Sequence, residues 1–231
     1  MDLFHRAQVP AERNLTWIKP FDARMDEILR LRDKSESAPK EMKKVFLSAW
    51  AELAEEVKKH QKTASSIVES ELPLQVYYNV ALRSEVGTAS IDFLIVSDDL
   101  ILVVLHKGKE HIEWDRYDTR FAKTPTGKDA LSAEDRACIL SDILLESKAV
   151  GPKELHRVVP VLIDPEEDEQ SGKCRPVGRS LLYPDISATL TIHPDVFTQW
   201  LLLNCAVSGT PFFSEKRLAR IFPWIEESIV K

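Results

Sequence analysis

Asp92 and Lys107 are the two residues whose types and spacing could do chemistry together, a carboxylate at the start of one apolar run and an ammonium at the end of the next. Asp92 stands in Ile-Asp-Phe-Leu-Ile-Val, and a carboxylate among that much hydrocarbon is unfavourable unless it is paired, ligated or close to a sheet edge. It therefore reads either as an aspartate paired with Lys107 or a loop donor, or as a metal ligand. Residues 91 to 96 and 100 to 106 are rich in Ile, Leu, Val and Phe and flank Ser97-Asp98-Asp99, which predicts a β-hairpin. Both runs are almost continuously apolar, as in the middle of a sheet covered by helices. Alternation along the second strand puts Val103, Leu105 and Lys107 on one face and Val104 and His106 on the other. His106 is expected to face away from the row that partners Asp92 and to be a packed or hydrogen-bonded residue at the core's edge rather than a ligand.

The segment Tyr78 to Leu82, followed by Gly87 to Asp92, Leu100 to Lys107, Gly108 and Ile112, resembles the core of the nuclease-related domain family. That family belongs to the PD-(D/E)XK nuclease-like superfamily. Its usual pattern is a short strand, a glycine turn, Ile-Asp, a strand, and Ile-Glu-x-Lys followed by Gly and Ile. The likeness is best over residues 74 to 114. It places Asp92 and Lys107 on the family's aspartate and lysine, and Leu105 on its glutamate. Residues 156 to 164 resemble the later core strand. The Asn-Pro-x-x-Gln start that many members carry on the preceding helix is not found in Leu131-Ser132-Ala133-Glu134-Asp135.

The resemblance implies a restriction-endonuclease-like α/β fold, a three-layer core with a central mixed sheet flanked by helices. It also implies magnesium held by carboxylates on adjacent strands, polarising a phosphate and activating water, with the lysine positioning that water and stabilising developing charge. Leucine offers no lone pair, so Asp92 alone would hold a weak, largely hydrated ion. Glu52, Glu55 or Glu56 on the preceding helix, or Glu110 and Glu113 beyond Gly108, could replace the missing carboxylate. As ordinary surface charges they would not. Two readings stay open: a nuclease-like domain with an impaired site, acting as a nucleic-acid-associated binding or regulatory module, and a magnesium-dependent DNA endonuclease using Asp92, Lys107 and a rearranged carboxylate. A third is a protein-interaction module on the same scaffold. Trp114, Arg116 and Tyr117 are candidates for base stacking and contact, although acidic residues surround them.

Composition narrows the classes. The chain has 231 residues, 44% hydrophobic and 29% charged, which suits one globular core with additions. A formal net charge of -6 argues against a protein devoted to holding a nucleic-acid backbone, since that affinity comes chiefly from Lys and Arg. The six histidines and three cysteines form no CxxC or HxxxH pair, so a structural zinc site has no motif behind it. Cys138, Cys174 and Cys205 are dispersed and odd in number, as free thiols of a reducing cytoplasm are. The start Met-Asp-Leu-Phe-His-Arg has no basic-then-apolar pattern and no run reaches membrane-span length, so no membrane association is expected.

The expected organisation is an N-terminal arm and short helix over residues 1 to 39, then a nuclease-like α/β domain over 40 to 231 with a C-terminal helical extension. Residues 21 to 33 form the short amphipathic helix. Pro39 opens a helix over 40 to 61 with an apolar stripe at Met42, Val45, Phe46, Ala49, Trp50, Leu53 and Val57, and a second helical stretch ends at 70 to 73. A first strand covers 74 to 82. Residues 111 to 128 read as a loop with a short strand at 112 to 114. Ser132 caps a helix over 131 to 147. Residues 164 to 178 read as a charged loop, 190 to 193 as a late strand, and 194 to 206 and 214 to 230 as helices.

Overall fold

The computed structural model describes residues 17–85, 87–107, 111–114, 120–123, 129–166, 189–206 and 210–230, with only the backbone course for 111–114, 120–123 and 129–130. Two helices lead: α1 (Ile18–Ser37) and α2 (Lys40–Glu69). Strands β1 (Gln75–Arg83), β2 (Thr88–Val96) and β3 (Ile101–His106) follow, then the short β4 (His111–Trp114), β5 (Arg120–Lys123) and β6 (Asp129–Ala130). Helix α3 (Ala133–Glu146) and a 3-10 turn (Pro152–Arg157) lead to β7 (Val158–Ile163) and β8 (Leu190–Ile192). The chain closes with α4 (Phe197–Cys205) and α5 (Glu215–Ser228).

The main sheet has the order β1-β2-β3-β7-β8, antiparallel from β1 to β3 and parallel from β3 onward. The parallel step needs a crossover, which α3 supplies from one face. Apolar side chains of β2, β3 and β7 bury both faces of the sheet's centre, as their nearly continuous hydrophobicity requires. On one face Phe93, Ile95, Leu102, Val104 and Val161 meet Trp17, Ala64 and Ile67, with Phe197 and Leu201 of α4. On the other, Leu94, Val96, Ile101 and Val103 meet Leu140, Ile143 and Leu144 of α3 and Leu218, Ile221 and Ile225 of α5. The architecture is α/β, a five-stranded mixed sheet between helices.

Three sequence expectations change. The helix expected to stop at residue 61 runs unbroken to Glu69, because nothing between Pro39 and Ser70 interrupts it and its buried stripe continues through His60, Ala64 and Ile67. The loop expected over 111 to 128 holds, besides its expected short strand (β4), a further strand β5, and the two form an antiparallel three-stranded sheet with β6. The short helix expected over 21 to 33 spans Ile18–Ser37, and Trp17 before it is buried against Phe93, with ring centroids 6.1 Å apart. Ser132 caps α3 as expected, accepting from the Asp135 main-chain N–H while Asp135 Oδ2 accepts from Ser132 N at 2.8 Å. Among the described residues, no helix is long and apolar enough to cross a membrane.

Cys138 and Cys205 are buried. Burial pushes the Cys205 thiol up to about 12, with nearby Asp99 adding to the rise and a Ser97 hydrogen bond opposing it. Since the thiolate is the nucleophile, iodoacetamide at mildly alkaline pH should leave Cys205 unmodified in the native protein and alkylate it in denaturant. Peptide mass spectrometry reads the outcome; native-state labelling at the denatured rate would contradict the burial.

Candidate functional site

Asp92 sits where the β1–β2 ladder changes phase. Tyr78 pairs with Phe93 and Val80 with Ile91, which leaves Asn79 and Asp92 across from each other, and Asn79 has the left-handed φ of 48°. Asparagine is among the few non-glycine residues that tolerate that conformation. Before this point Val76, Tyr78, Phe93 and Ile95 face α2; beyond it Val80, Leu82, Ala89 and Ile91 face α3. Both strands invert their alternation together, so the register survives.

This inversion puts Asp92 on the side of His106 rather than on the Lys107 row, and His106 is the hydrogen-bonded core-edge residue expected: its main-chain N–H donates to Asp92 Oδ2 at 2.8 Å, and its Nδ1 lies 3.0 Å from the same oxygen. His106 Nε2 lies 2.8 Å from the Thr63 hydroxyl on α2. One helical turn earlier, His60 brings Nε2 to 3.6 Å from Asp92 Oδ2 and Nδ1 to 3.1 Å from the Tyr78 hydroxyl. The two imidazole centroids are 4.5 Å apart. His60 belongs to the buried stripe of α2 with Leu53, Val57, Ala64 and Ile67, spaced three and four residues apart, which is why it points at the sheet.

The electrostatics follow from that packing. Burial alone would raise the Asp92 carboxyl's pKa, but hydrogen bonds from His106 and His60 and their attraction for the anion outweigh it and hold it well below the usual carboxylate range. Burial lowers the pKa of His106 against the opposing pull of Asp92. Both shifts favour an ionised carboxylate beside a neutral imidazole.

Lys107 is not paired with Asp92. Its Nζ is 2.6 Å from Glu166 Oε2 and 2.9 Å from Asp164 Oδ2, just beyond β7, and these bonds raise its pKa. The parallel β3–β7 register aligns His106 with Ile163, so the chain ends carrying Lys107 and Asp164 emerge side by side. Leu105 is buried and aligned with Leu162.

Asp92, His60, His106 and Lys107 line a cleft of about 650 Å³ whose α2 wall carries Glu52, Glu55, Glu56 and Lys59. Of the proposed replacement carboxylates, Glu56 accepts from Arg24 at 3.0 Å and Glu52 from Ser48 at 3.2 Å. Among the described residues, the side chains whose ligand atoms converge, all within 4.8 Å of one another, are His60, Asp92 and His106. A second groove beside the first is lined by Lys58, Lys59, Lys62, Lys107, His193 and Asp195 among others. Of the stacking candidates, Arg116 and Tyr117 lie outside the described residues, as does Glu110, and Trp114 and Glu113 are described only as backbone in β4.

Sequence reasoning missed His60, Thr63, Tyr78 and Asp164. For His60 a signal existed: it is a polar residue at an apolar stripe position of α2, hidden because Lys-Lys-His-Gln-Lys reads as a solvated run. Compared with protein-family models, curated proteins and solved structures, the chain has no significant match.

Proposed function

We propose that this chain is a nuclease-like domain of restriction-endonuclease-like type with an impaired catalytic centre, serving as a nucleic-acid-binding module. The element order supports the scaffold: a long helix α2, three antiparallel strands, a helix α3 and a parallel strand β7, with Asp92 and Lys107 brought to one cleft. The observation that carries the impaired reading is that both motif residues are already engaged within the protein. Asp92 Oδ2 receives the His106 main chain and ring and faces His60; Lys107 is held by Asp164 and Glu166. The donor set does not fit magnesium, a hard ion that takes oxygen ligands: the converging atoms are two nitrogens and one carboxylate, and position 105 is a buried leucine. The cleavage reading would require Glu52 or Glu56 to leave Ser48 or Arg24.

Nucleic acid as the ligand is supported by Lys58 and Lys59 along the neighbouring groove, where Lys62 is paired with Asp195 and Lys107 with Asp164 and Glu166. The buried free thiol of Cys205 fits a cytoplasmic setting. The test is a filter-binding titration of single- and double-stranded DNA at low salt, with plasmid incubation in magnesium or manganese alongside. The expected result is salt-sensitive binding without cleavage, with Lys58→Ala and Lys59→Ala each lowering the salt slope by about 1. Cleavage that both Asp92→Ala and Lys107→Ala abolish would overturn the impaired centre. Absence of affinity at low salt would overturn the nucleic-acid reading in favour of a protein partner.

A further inference from the structure

We infer that His60, Asp92 and His106 form a binding site for one divalent transition-metal ion of the zinc type, bridging α2 to β2 and β3. The inference goes beyond the nucleic-acid reading and does not rest on it. Three features of the geometry carry it.

The first is convergence. Asp92 Oδ2 is 3.0 Å from His106 Nδ1 and 3.6 Å from His60 Nε2. Ligands about 2.0–2.1 Å from a tetrahedral zinc ion stand about 3.4 Å apart. The three ligand atoms lie within 4.8 Å of one another, so small rotations of two rings and one carboxylate complete the triangle.

The second is the environment of the other ring nitrogens. A metal-bound histidine normally donates its remaining N–H to an orienting group, which fixes ring and tautomer. His106 Nε2 has the Thr63 hydroxyl at 2.8 Å, and His60 Nδ1 has the Tyr78 hydroxyl at 3.1 Å. A hydroxyl both donates and accepts. Without metal, each can donate to its ring nitrogen while the ring's proton points at Asp92. With metal, each ring moves its proton to the far nitrogen, the hydroxyl rotates to accept it, and the lone pairs turn to the ion. Neither state leaves a ring nitrogen unsatisfied. A main-chain carbonyl in the hydroxyl's place would serve only the second state.

The third is access. The Asp92 side chain keeps about a quarter of its surface exposed on the cleft, so an ion can enter and keep a position open to the cleft. Two imidazoles with one carboxylate favour zinc, cobalt or nickel over magnesium. The same substitution of nitrogen for oxygen that spoils the magnesium site produces this one.

The test uses the full chain, stripped with a chelator and titrated with Co2+ and Zn2+ in the absence of nucleic acid, so that its failure and a failure of DNA binding are separate results. The expected outcome is one Co2+ per chain with the visible bands of a four- or five-coordinate ion, displaced by one equivalent of Zn2+ and unaffected by excess Mg2+. His60→Gln and His106→Gln, which keep polar side chains of similar reach, should each weaken binding at least about tenfold; circular dichroism confirms that they are folded. Thr63→Val should weaken it without removing a ligand. A hexa-aqua cobalt spectrum at saturation would overturn the inference. So would unchanged affinity in folded His60→Gln, which would assign the binding to other histidines.

Discussion

Phe93→Ala should lower the unfolding free energy by about 3–5 kcal/mol and the thermal midpoint by roughly 10 °C. Phe93 is fully buried in the middle of β2, the second strand of a five-stranded sheet. Its ring lies 6.1 Å from Trp17, 5.0 Å from Tyr78, 5.7 Å from His60 and 5.9 Å from His106, centroid to centroid. Truncation to alanine removes the transfer free energy of the ring and leaves a cavity that the sheet backbone cannot close. It also removes the apolar floor under both imidazoles, so the loss should reach the site, and metal affinity should fall along with stability. Phe93→Leu should lose less, because most of the volume is kept. Urea denaturation of the three proteins measures this. A loss below 1 kcal/mol for the alanine variant would mean that the α1–α2 layer does not pack on β2 as described.

The same region shows what the sequence made legible and what it did not. The β2–β3 hairpin was readable because two nearly unbroken apolar runs meet a Ser-Asp-Asp turn, and such runs are satisfied only by burial on both faces. The cap of α3 was readable because Ser132 and Asp135 are a local device needing no tertiary contact. The side on which Asp92 works was not readable. Counting alternate residues assumes an ideal strand, and the ladder inverts at Asn79, whose left-handed conformation is compatible with asparagine but not dictated by it. The engagement of Lys107 by Asp164 was equally hidden, since 57 positions separate them and only the parallel β3–β7 register brings them together. Of the small β4-β5-β6 sheet, β4 was readable as a short strand at 112 to 114, whereas β5 and β6, four and two residues long, fall below the length at which period-two patterning is visible.

Asp92 and Lys107, equal members of one motif in the sequence, carry very different weight in the folded chain. Asp92 is a junction. Its Oδ2 accepts the main-chain N–H of His106 at the open end of β3 and stands against both imidazoles, so it ties β2 to β3 where their own ladder has ended at Phe93 and Val104. Lys107 is a tether at the rim, more than a third exposed, and Glu166 is mostly in solvent.

Asp92→Ala should therefore cost about 2–4 kcal/mol, because it leaves buried donors without an acceptor and removes charge-assisted bonds. Lys107→Ala should cost less, about 1 kcal/mol, because the ammonium is more than a third exposed and the buried Asp164 keeps the Glu166 main-chain N–H as a donor. Asp92→Asn separates the two contributions within the first variant. The amide keeps one acceptor oxygen, which can serve the His106 main chain, but it carries no charge and turns an N–H₂ toward one of the rings. Its loss should fall between those of Asp92→Ala and wild type. If alanine and asparagine at 92 were equally mild, Asp92 would be a surface residue of β2 and the imidazole cluster would hold itself. If Lys107→Ala were the more damaging of the two alanine variants, the tether to Asp164 rather than the Asp92 junction would be what closes this end of the sheet. Equilibrium denaturation of the four proteins at neutral pH and moderate salt decides between these outcomes, and the salt matters, since only the Lys107 contribution should shrink appreciably as ionic strength rises.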